Sequence, residues 1–212
     1  MDSLIGPLAV GWSEHRLGDL CEIQAGPSGA SLPSGEFGMR GTPLVRPGDI
    51  IDRRVSGTGL ARVADVTTER LHRYRLRPGD VVGTRTGTLG RFARISSDQQ
   101  DWLYSTQLLR VRPSGRMDPV YLVHYLTLPV IQHWIDRHAS GSTVRSLTVN
   151  TLRSLPTAVP PLGVQQAIGA SLHALDDKAR LHADISRTTS ELHDALAPML
   201  FSGRVPASAI DM

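Results

Sequence analysis

Short apolar runs separated by glycine and proline fill the chain from Trp12 to about Pro113. The runs are short and alternate apolar with polar positions, which is typical of strands in an antiparallel sheet. The segments with this pattern are 16–23, 49–51, 61–66, 80–82, 90–95 and 107–111. Two stretches between them, 26–41 and 53–59, are rich in Gly, Ser and Pro, so we predict exposed loops there. This part of the chain is therefore predicted to be mainly β.

Helical signals appear after residue 117. Asp118 followed by Pro119 suits an N-cap and a first helical position, and the apolar residues that follow predict a helix. A second helix is predicted over Pro129–His138, with Gly141 beyond its C-terminal end. A short capped helix near 150–154 and a strand-like segment at 155–161 complete the domain.

A single long helix is predicted over 162–201, where apolar residues recur every three or four positions. Such a helix is roughly 55 Å long at 1.5 Å per residue, and its narrow apolar stripe calls for a partner helix. The alternative is that the helix folds back along its own domain. Pro198 is expected to fray or end it. The stripe that we assign to a dimer interface consists of Val164, Ile168, Leu172, Leu175, Ile185, Leu192 and Leu196.

These patterns predict an α+β protein: a curled, mainly antiparallel β domain with a few short helices, followed by one long coiled-coil helix. The predicted boundaries are 1–161 for the domain, 162–201 for the helix and 202–212 for a flexible tail. No apolar run has the length of about 20 residues that a membrane helix needs. The single cysteine, Cys21, excludes an internal disulfide and favours a reducing, cytoplasmic setting.

The net charge of +3 hides a segregation of charge. From Arg40 to Arg116 there are 15 arginines and seven acidic residues, a local balance of +8, whereas the rest of the chain sums to −5. Lys178 is the only lysine, so a GC-rich genome is an alternative reason for the arginine content. An arginine-dense segment suits phosphate backbones and guanine edges, because the guanidinium donates two parallel hydrogen bonds.

Catalytic and metal-binding patterns are missing from the sequence. There is no phosphate-binding loop ending in Gly-Lys-Ser/Thr, no His-Glu-x-x-His, no Gly-x-Ser-x-Gly and no Asn-Pro-Pro-aromatic motif. The eight histidines are scattered, so we predict no metal site. Cys21 is predicted to be a small buried hydrophobe, and the aromatic residues are predicted to fill the core. The glycine-rich stretch Gly83–Gly90 is interpreted as a hairpin that offers backbone N–H groups, hydroxyls and Arg85 to nucleic acid.

Four blocks of sequence, taken in order, resemble one half of a type I restriction-modification specificity subunit. The Pro-Pro-Leu-x-x-Gln-Gln-x-Ile pattern that opens the long helix is the most specific of them. The blocks are Arg16–Gly26 after Trp12, Arg77–Gly90, Ser140–Ser142, and Val159–Ile168 followed by Leu172, Leu175 and Asp176.

The resemblance implies a DNA target-recognition domain followed by a spacer helix, with no catalysis and no cofactor of its own. The family usually carries two such halves in one chain, each reading one part of a split DNA sequence. This chain has one, so we expect it to form a homodimer through the long helix and to read an inverted repeat. Pairing with a different half-subunit or with a methyltransferase chain is the alternative. S-adenosylmethionine is expected only on a partner methyltransferase subunit, and a restriction subunit is a further possible partner.

The residues expected to contact DNA are arginines and hydroxyl side chains of the predicted loops, although each arginine could equally be an ordinary solvated one. They are Arg40, Arg46, Arg53, Arg54, Thr84, Arg85, Thr86, Arg91, Ser142, Thr143 and Arg145. Two other function classes remain open: a stand-alone sequence-specific DNA binder, such as a regulator or phage-defence component, and an enzyme, which the missing motifs disfavour.

Overall fold

The computed structural model describes residues 2–32, 37–38, 40–141 and 145–203. The strands are β1 (Asp2–Ser3), β2 (Gly6–Pro7), β3 (Ser13–Arg16), β4 (Cys21–Ala25), β5 (Phe37–Gly38), β6 (Thr42–Val45), β7 (Ile50–Ile51), β8 (Arg54–Val55), β9 (Ala61–Val63), β10 (Val81–Thr84), β11 (Phe92–Arg94), β12 (Leu103–Tyr104), β13 (Leu108–Pro113) and β14 (Pro156–Val159). The α-helices are α1 (Leu17–Leu20), α2 (Asp65–Arg70), α3 (Pro119–Leu126), α4 (Pro129–His138), α5 (Val149–Arg153) and α6 (Leu162–Phe201). Short 3₁₀ turns lie at Gly29–Ser31, Pro47–Asp49, His72–Tyr74 and Ser97–Gln99.

Among the described residues, the β part consists of two four-stranded sheets and three two-stranded ones, β1–β2, β3–β14 and β7–β8. One four-stranded sheet has the order β11-β10-β13-β4 and is antiparallel throughout. The other has the order β12-β6-β9-β5, and its β12–β6 pair is parallel. Helices α3 and α4 pack their buried residues against the first sheet, while a second buried cluster includes residues of both sheets. This mixed architecture is the predicted α+β class with mainly antiparallel strands.

The chain divides into two compact units, residues 1–170 and 171–212. Helix α6 begins in the first unit. The helix starts at Leu162, as predicted. The division of the chain into domains at 161/162 stays a prediction.

Two segments predicted as strands contain helical turns. Within 16–23, residues Leu17–Leu20 form α1, because Leu17 and Leu20 lie three positions apart and are both fully buried. Within 61–66, β9 ends at Val63 and α2 begins at Asp65. The strand prediction is confirmed for residues 21–23 of the first segment, which lie in β4, and for residues 61–63 of the second, which form β9.

The two predicted loops are more ordered than expected. Arg54 and Val55 form β8, which pairs with β7 through a two-residue turn at Asp52 and Arg53, both with positive φ. In 26–41, Pro27 and Leu32 are buried and Phe37–Gly38 form β5, whereas residues 33–36 and 39 lie outside the described part. Apolar contacts with the rest of the domain, which the local composition does not reveal, account for this order.

The predicted helices of residues 117–155 are confirmed, and so are the N-terminal caps of α3 and α5, whereas α4 ends at an extended Ala139 and not in the predicted glycine cap at Gly141. Asp118 Oδ1 accepts hydrogen bonds from the backbone N–H groups of Val120 and Tyr121, at 2.9 and 2.8 Å. Thr148 caps α5 in the same way through the N–H of Thr151. Of the aromatic residues predicted to be core, Tyr104, Tyr121, Tyr125 and Trp134 are buried, and Trp102 is half-buried. Cys21 is buried as predicted, and its burial raises the pKa of the thiol to about 12.

The prediction that Pro198 frays or ends the long helix is wrong. Helix α6 continues to Phe201, and the carbonyl of Pro198 accepts a hydrogen bond from the N–H of Ser202 at 3.1 Å. Proline keeps its carbonyl as an acceptor, so the backbone hydrogen bond that begins at Pro198 still forms.

The apolar stripe of α6 is divided between two environments. Ile168 packs against the core of the first unit, which agrees locally with a helix lying on its own domain. Farther along, Leu175, Ile185 and Leu192 are each more than half exposed. Among the described residues, no helix is both long and apolar enough to cross a membrane.

Candidate nucleic-acid interface

The sequence Arg-Pro-Gly-Asp occurs twice, at residues 46–49 and 77–80, and both copies make the same two hydrogen bonds, although the first is a 3₁₀ turn and the second has a positive φ at Gly79. In each copy the aspartate carboxylate accepts the N–H of the arginine at 2.8 Å, and the arginine carbonyl accepts the N–H of the aspartate at 3.0 Å. Each turn leads into a strand, β7 or β10. The motif is therefore a strand-entry turn, and the surroundings decide what else each copy can do.

The second copy is structural. The Asp80 carboxylate is buried, and Arg112 on β13 donates Nε and Nη2 to its two oxygens at 2.7 Å each. This bidentate pair holds the guanidinium inside the domain and raises the pKa of Arg112. Neither charge is available to a ligand.

The first copy opens onto a surface cleft. The Arg46 side chain is 45% exposed, its Nε lies 3.5 Å from Asp49, and its Nη2 donates to the carbonyl of Gly59 at 3.4 Å. Both contacts are long, so they orient the Arg46 guanidinium weakly. Asp49 forms no bidentate pair like the one between Asp80 and Arg112.

A loop of the first sheet forms the opposite part of the cleft. Between β10 and β11 the Thr84 hydroxyl donates to the carbonyl of Thr88 at 2.6 Å and accepts the N–H of Arg91 at 3.0 Å. Thr84 is almost fully buried, so its hydroxyl closes the loop instead of facing solvent. The interpretation of Gly83–Gly90 as a hairpin is confirmed, since β10 and β11 pair directly.

The cleft has a volume of about 390 Å³. It brings together two segments that are far apart in the sequence, 46–49 and 84–91, and one further side chain, Gln107. The lining residues are Arg46, Pro47, Gly48, Asp49, Thr84, Thr86, Gly87, Thr88, Arg91 and Gln107. Four of the residues predicted to contact DNA are in this set: Arg46, Thr84, Thr86 and Arg91.

The β7–β8 hairpin lies next to the cleft. An Arg91 Nη2 group donates to the carbonyl of Ile50, and the N–H of Arg94 donates to the carbonyl of Arg53 at 3.0 Å. Arg53 and Arg54 of this hairpin, both predicted to contact DNA, are half-buried. They lie near the cleft but do not line it.

The other predicted contacts are placed elsewhere. Arg85 is half-buried and outside the cleft lining, and its Nε has no hydrogen-bond partner among the described residues. Arg145 is exposed and forms a salt bridge of 3.7 Å with Asp136. Arg40 is exposed. Ser142 and Thr143 lie outside the described residues. The structure thus brings together part of the predicted set, and the β-bridge between Thr86 and Ser146 places Arg145 one residue along the chain from a partner of the cleft.

Several arginines of the basic segment 40–116 are used inside the fold. Besides Arg112, Arg110 is buried and paired with Glu22, and Arg62 donates to the carbonyl of Gly41 at 2.8 Å. The local charge of +8 therefore overstates the charge presented to a ligand.

Gln107, Asp49 and Thr88 belong to the cleft but were not predicted. Gln107 lies directly before β13, and its carbonyl accepts the N–H of Arg85 at 2.9 Å. The repeated Arg-Pro-Gly-Asp motif could have identified Asp49, whereas no local signal identifies Gln107. Within the described ranges there is also no group of three or more His, Cys, Asp and Glu side chains that could hold a metal ion.

Comparison with known proteins places the sequence in a family. Residues 9–188 match the family described as type I restriction modification DNA specificity domain. A type I restriction-enzyme chain of Methanocaldococcus jannaschii, given as the MjaX specificity subunit, is 26% identical over 179 residues, covering 82% of this chain and 41% of its own length. The HindI specificity subunit of Haemophilus influenzae is 22% identical over 209 residues, covering 93% of this chain and 42% of its own.

Solved structures share the fold. The S subunit of a type I restriction-modification system from M. genitalium superposes with a TM-score of 0.64 at 14% identity, over 95% of this chain and 49% of the other. The HsdS subunit from Thermoanaerobacter tengcongensis gives 0.58 at 21% identity, over 94% and 47%. The chain spans less than half the length of the relatives it matches.

A family of DNA specificity domains also agrees with the prediction of a non-catalytic chain. The match covers most of the sequence, including the start of the long helix. The chain belongs to the type I restriction-modification DNA specificity domain family.

Proposed function

We propose that this chain recognises a DNA sequence as the specificity component of a type I-like restriction-modification complex. The observation that carries the proposal is the cleft in which Arg46 and Arg91 stand beside the hydroxyls of Thr86 and Thr88 and the amide of Gln107. Guanidinium and hydroxyl groups bind phosphate oxygens and so position a protein on duplex DNA, while amides and guanidinium groups read base edges.

In this proposal the chain performs no chemistry and needs no cofactor. It holds DNA so that a separate methyltransferase subunit, which carries S-adenosylmethionine, reaches the target adenine. A restriction subunit joins the same complex where the system also cleaves DNA. Purification of the chain from its host tests the partner directly, because a co-purifying methyltransferase chain is expected, and a chain that binds a specific site without one acts as a stand-alone DNA binder.

Arg46 provides the first test of the cleft. We expect Arg46→Ala to weaken binding to duplex DNA roughly fivefold to tenfold in 0.1 M salt and to reduce the slope of log K against log salt by about one, because one phosphate contact is lost. Fluorescence anisotropy across a salt series measures both quantities.

Arg116→Ala is the matched control. Arg116 is exposed, lies in the same basic segment and does not line the cleft. Equal losses for the two variants would mean that the whole basic segment acts diffusely and that the cleft has no special role.

We further propose that two copies pair through residues 171–201 of α6 and read the two halves of an inverted repeat. The support is the apolar surface of this segment: Leu175, Leu181, Ile185 and Leu192 are all more than half exposed. Burying side chains of this size stabilises an association by about 1.5–3 kcal/mol each. Charged residues lie on the same helix, and Arg187 pairs with Asp184 and Glu191.

Leu192→Asp tests the pairing. We expect the wild-type chain to sediment as a dimer at micromolar concentration and Leu192→Asp to raise the dimer dissociation constant at least about tenfold, because a charge replaces a buried leucine. Ser190→Asp, two positions away and on the opposite side of the helix, should leave the dimer intact. A wild-type monomer with and without DNA would exclude the homodimer and leave pairing with another chain.

A further inference from the structure

Gln107 sits on a turn whose backbone is fixed from several sides. The N–H of Leu108 donates to the carbonyl of Ser105 at 3.1 Å, and the N–H of Ser105 donates to Val45 at 2.9 Å. The N–H of Gly26 donates to the carbonyl of Leu108 at 2.9 Å. The Gln107 carbonyl itself accepts the N–H of Arg85. The backbone at residue 107 therefore has little freedom to move.

The side chain of Gln107 contrasts with this fixed backbone. Ser105 and Leu108 on either side of the turn are buried, whereas Gln107 is exposed. It faces the cleft that Arg46 and Arg91 also line. Its carboxamide makes no hydrogen bond to the residues that the structure describes, although it offers both a donor and an acceptor.

An amide on a fixed backbone, in a cleft that two arginines also line, suits one kind of contact with DNA. A glutamine carboxamide forms two hydrogen bonds with the N7 and N6 positions of adenine in the major groove, and the pairing is specific for that base. The arginines can hold phosphates while the amide reads the base.

The aspartate and threonine side chains of the cleft are less suited to reading a base. The Asp49 carboxylate already accepts the N–H of Arg46, and the Thr84 hydroxyl is used within its loop. The hydroxyls of Thr86 and Thr88 can donate to or accept from any base, so they discriminate little.

We propose that Gln107 is a specificity-determining residue that reads an adenine in the recognised DNA sequence. The inference rests on the proposed function, since it assigns a base to one side chain of the same cleft. The turn 105–108 positions the amide, and the arginines of the cleft set its distance from the DNA backbone.

The experiment is selection of bound sequences from a library of randomised duplex DNA, followed by affinity measurements on the selected site and its single-base variants. We expect the wild-type site to contain one adenine per half-site at which substitution costs about tenfold to hundredfold in affinity. Gln107→Ala should abolish that discrimination at this position alone. Gln107→Glu should shift the preference to cytosine, because a carboxylate accepts from cytosine N4.

Three readouts separate this proposal from simpler effects. Gln107→Ala should keep the wild-type salt slope, since no charge is lost, and the wild-type melting temperature, since the side chain is exposed. Gln100→Ala, an exposed glutamine outside the cleft, should select the wild-type site. A Gln107→Ala variant that selects the unchanged wild-type site overturns the assignment while leaving the proposed function intact. A wild-type chain that selects no site overturns the proposed function itself.

Discussion

Gly26→Ala is expected to lower the free energy of unfolding by about 3 kcal/mol or more, because a Cβ at this position has no space. It would lie 2.0 Å from the carbonyl oxygen of Ser105 and 2.8 Å from its carbonyl carbon. Both partners are backbone atoms held by hydrogen bonds, so neither can move away as a flexible side chain could. Urea unfolding followed by circular dichroism measures the loss.

Gly29→Ala is the control for this prediction. Nothing lies within 4 Å of a Cβ built at Gly29, so the free energy of unfolding should stay within about 0.5 kcal/mol of the wild type. Equal free energies of unfolding for the two variants would show that the contact between Gly26 and Ser105 tolerates the extra methyl group.

The Gly26 contact also links the fold to the cleft. The turn against which Gly26 packs carries Gln107, so its displacement moves the amide that we propose reads the DNA. Gly26→Ala protein that still folds should therefore bind DNA through the arginines of the cleft but discriminate less between bases.

Local chemistry made the helices of residues 117–155 predictable. Asp118-Pro119 and Thr148 mark their own helix starts, because the capping hydrogen bonds join groups two or three residues apart. Helices α1 and α2 were missed because each has only one or two turns, too few for a helical period to stand out from strand alternation.

The cleft could be predicted only in part. Arg46, Thr86 and Arg91 were proposed from their residue types and predicted loops, but the neighbours of an arginine do not show whether it is exposed, like Arg46, or paired inside the fold, like Arg112. Strand pairing decides between them: β13 places Arg112 opposite Glu22 and within reach of buried Asp80, whereas Arg46 precedes a turn at the surface. Gln107 enters the cleft only through the pairing of β10 with β13.

The two glutamines that open the long helix should differ in their effect on stability. Gln165 is buried, with its Oε1 accepting the N–H of Asp118 at 2.9 Å. Its Nε2 donates to the carbonyls of Arg116 and Pro160, at 3.0 and 2.9 Å. The amide thereby ties the first turn of α6 to the start of α3 and to the end of the β14 segment. Gln166 is exposed.

Gln165→Ala should therefore lower the free energy of unfolding by about 3 kcal/mol, about 1 kcal/mol for each lost hydrogen bond, because one buried and two part-buried backbone groups lose their partner. Gln165→Glu should destabilise at least as much, since a carboxylate cannot donate to the two carbonyls and becomes a buried charge. Gln166→Ala should change the stability by less than about 0.5 kcal/mol. Thermal and urea unfolding of the three variants distinguish these cases, and similar losses at 165 and 166 would contradict the anchoring role. If the difference is found, the first glutamine of the pair holds the helix start onto the recognition domain, and the second is free to serve another surface.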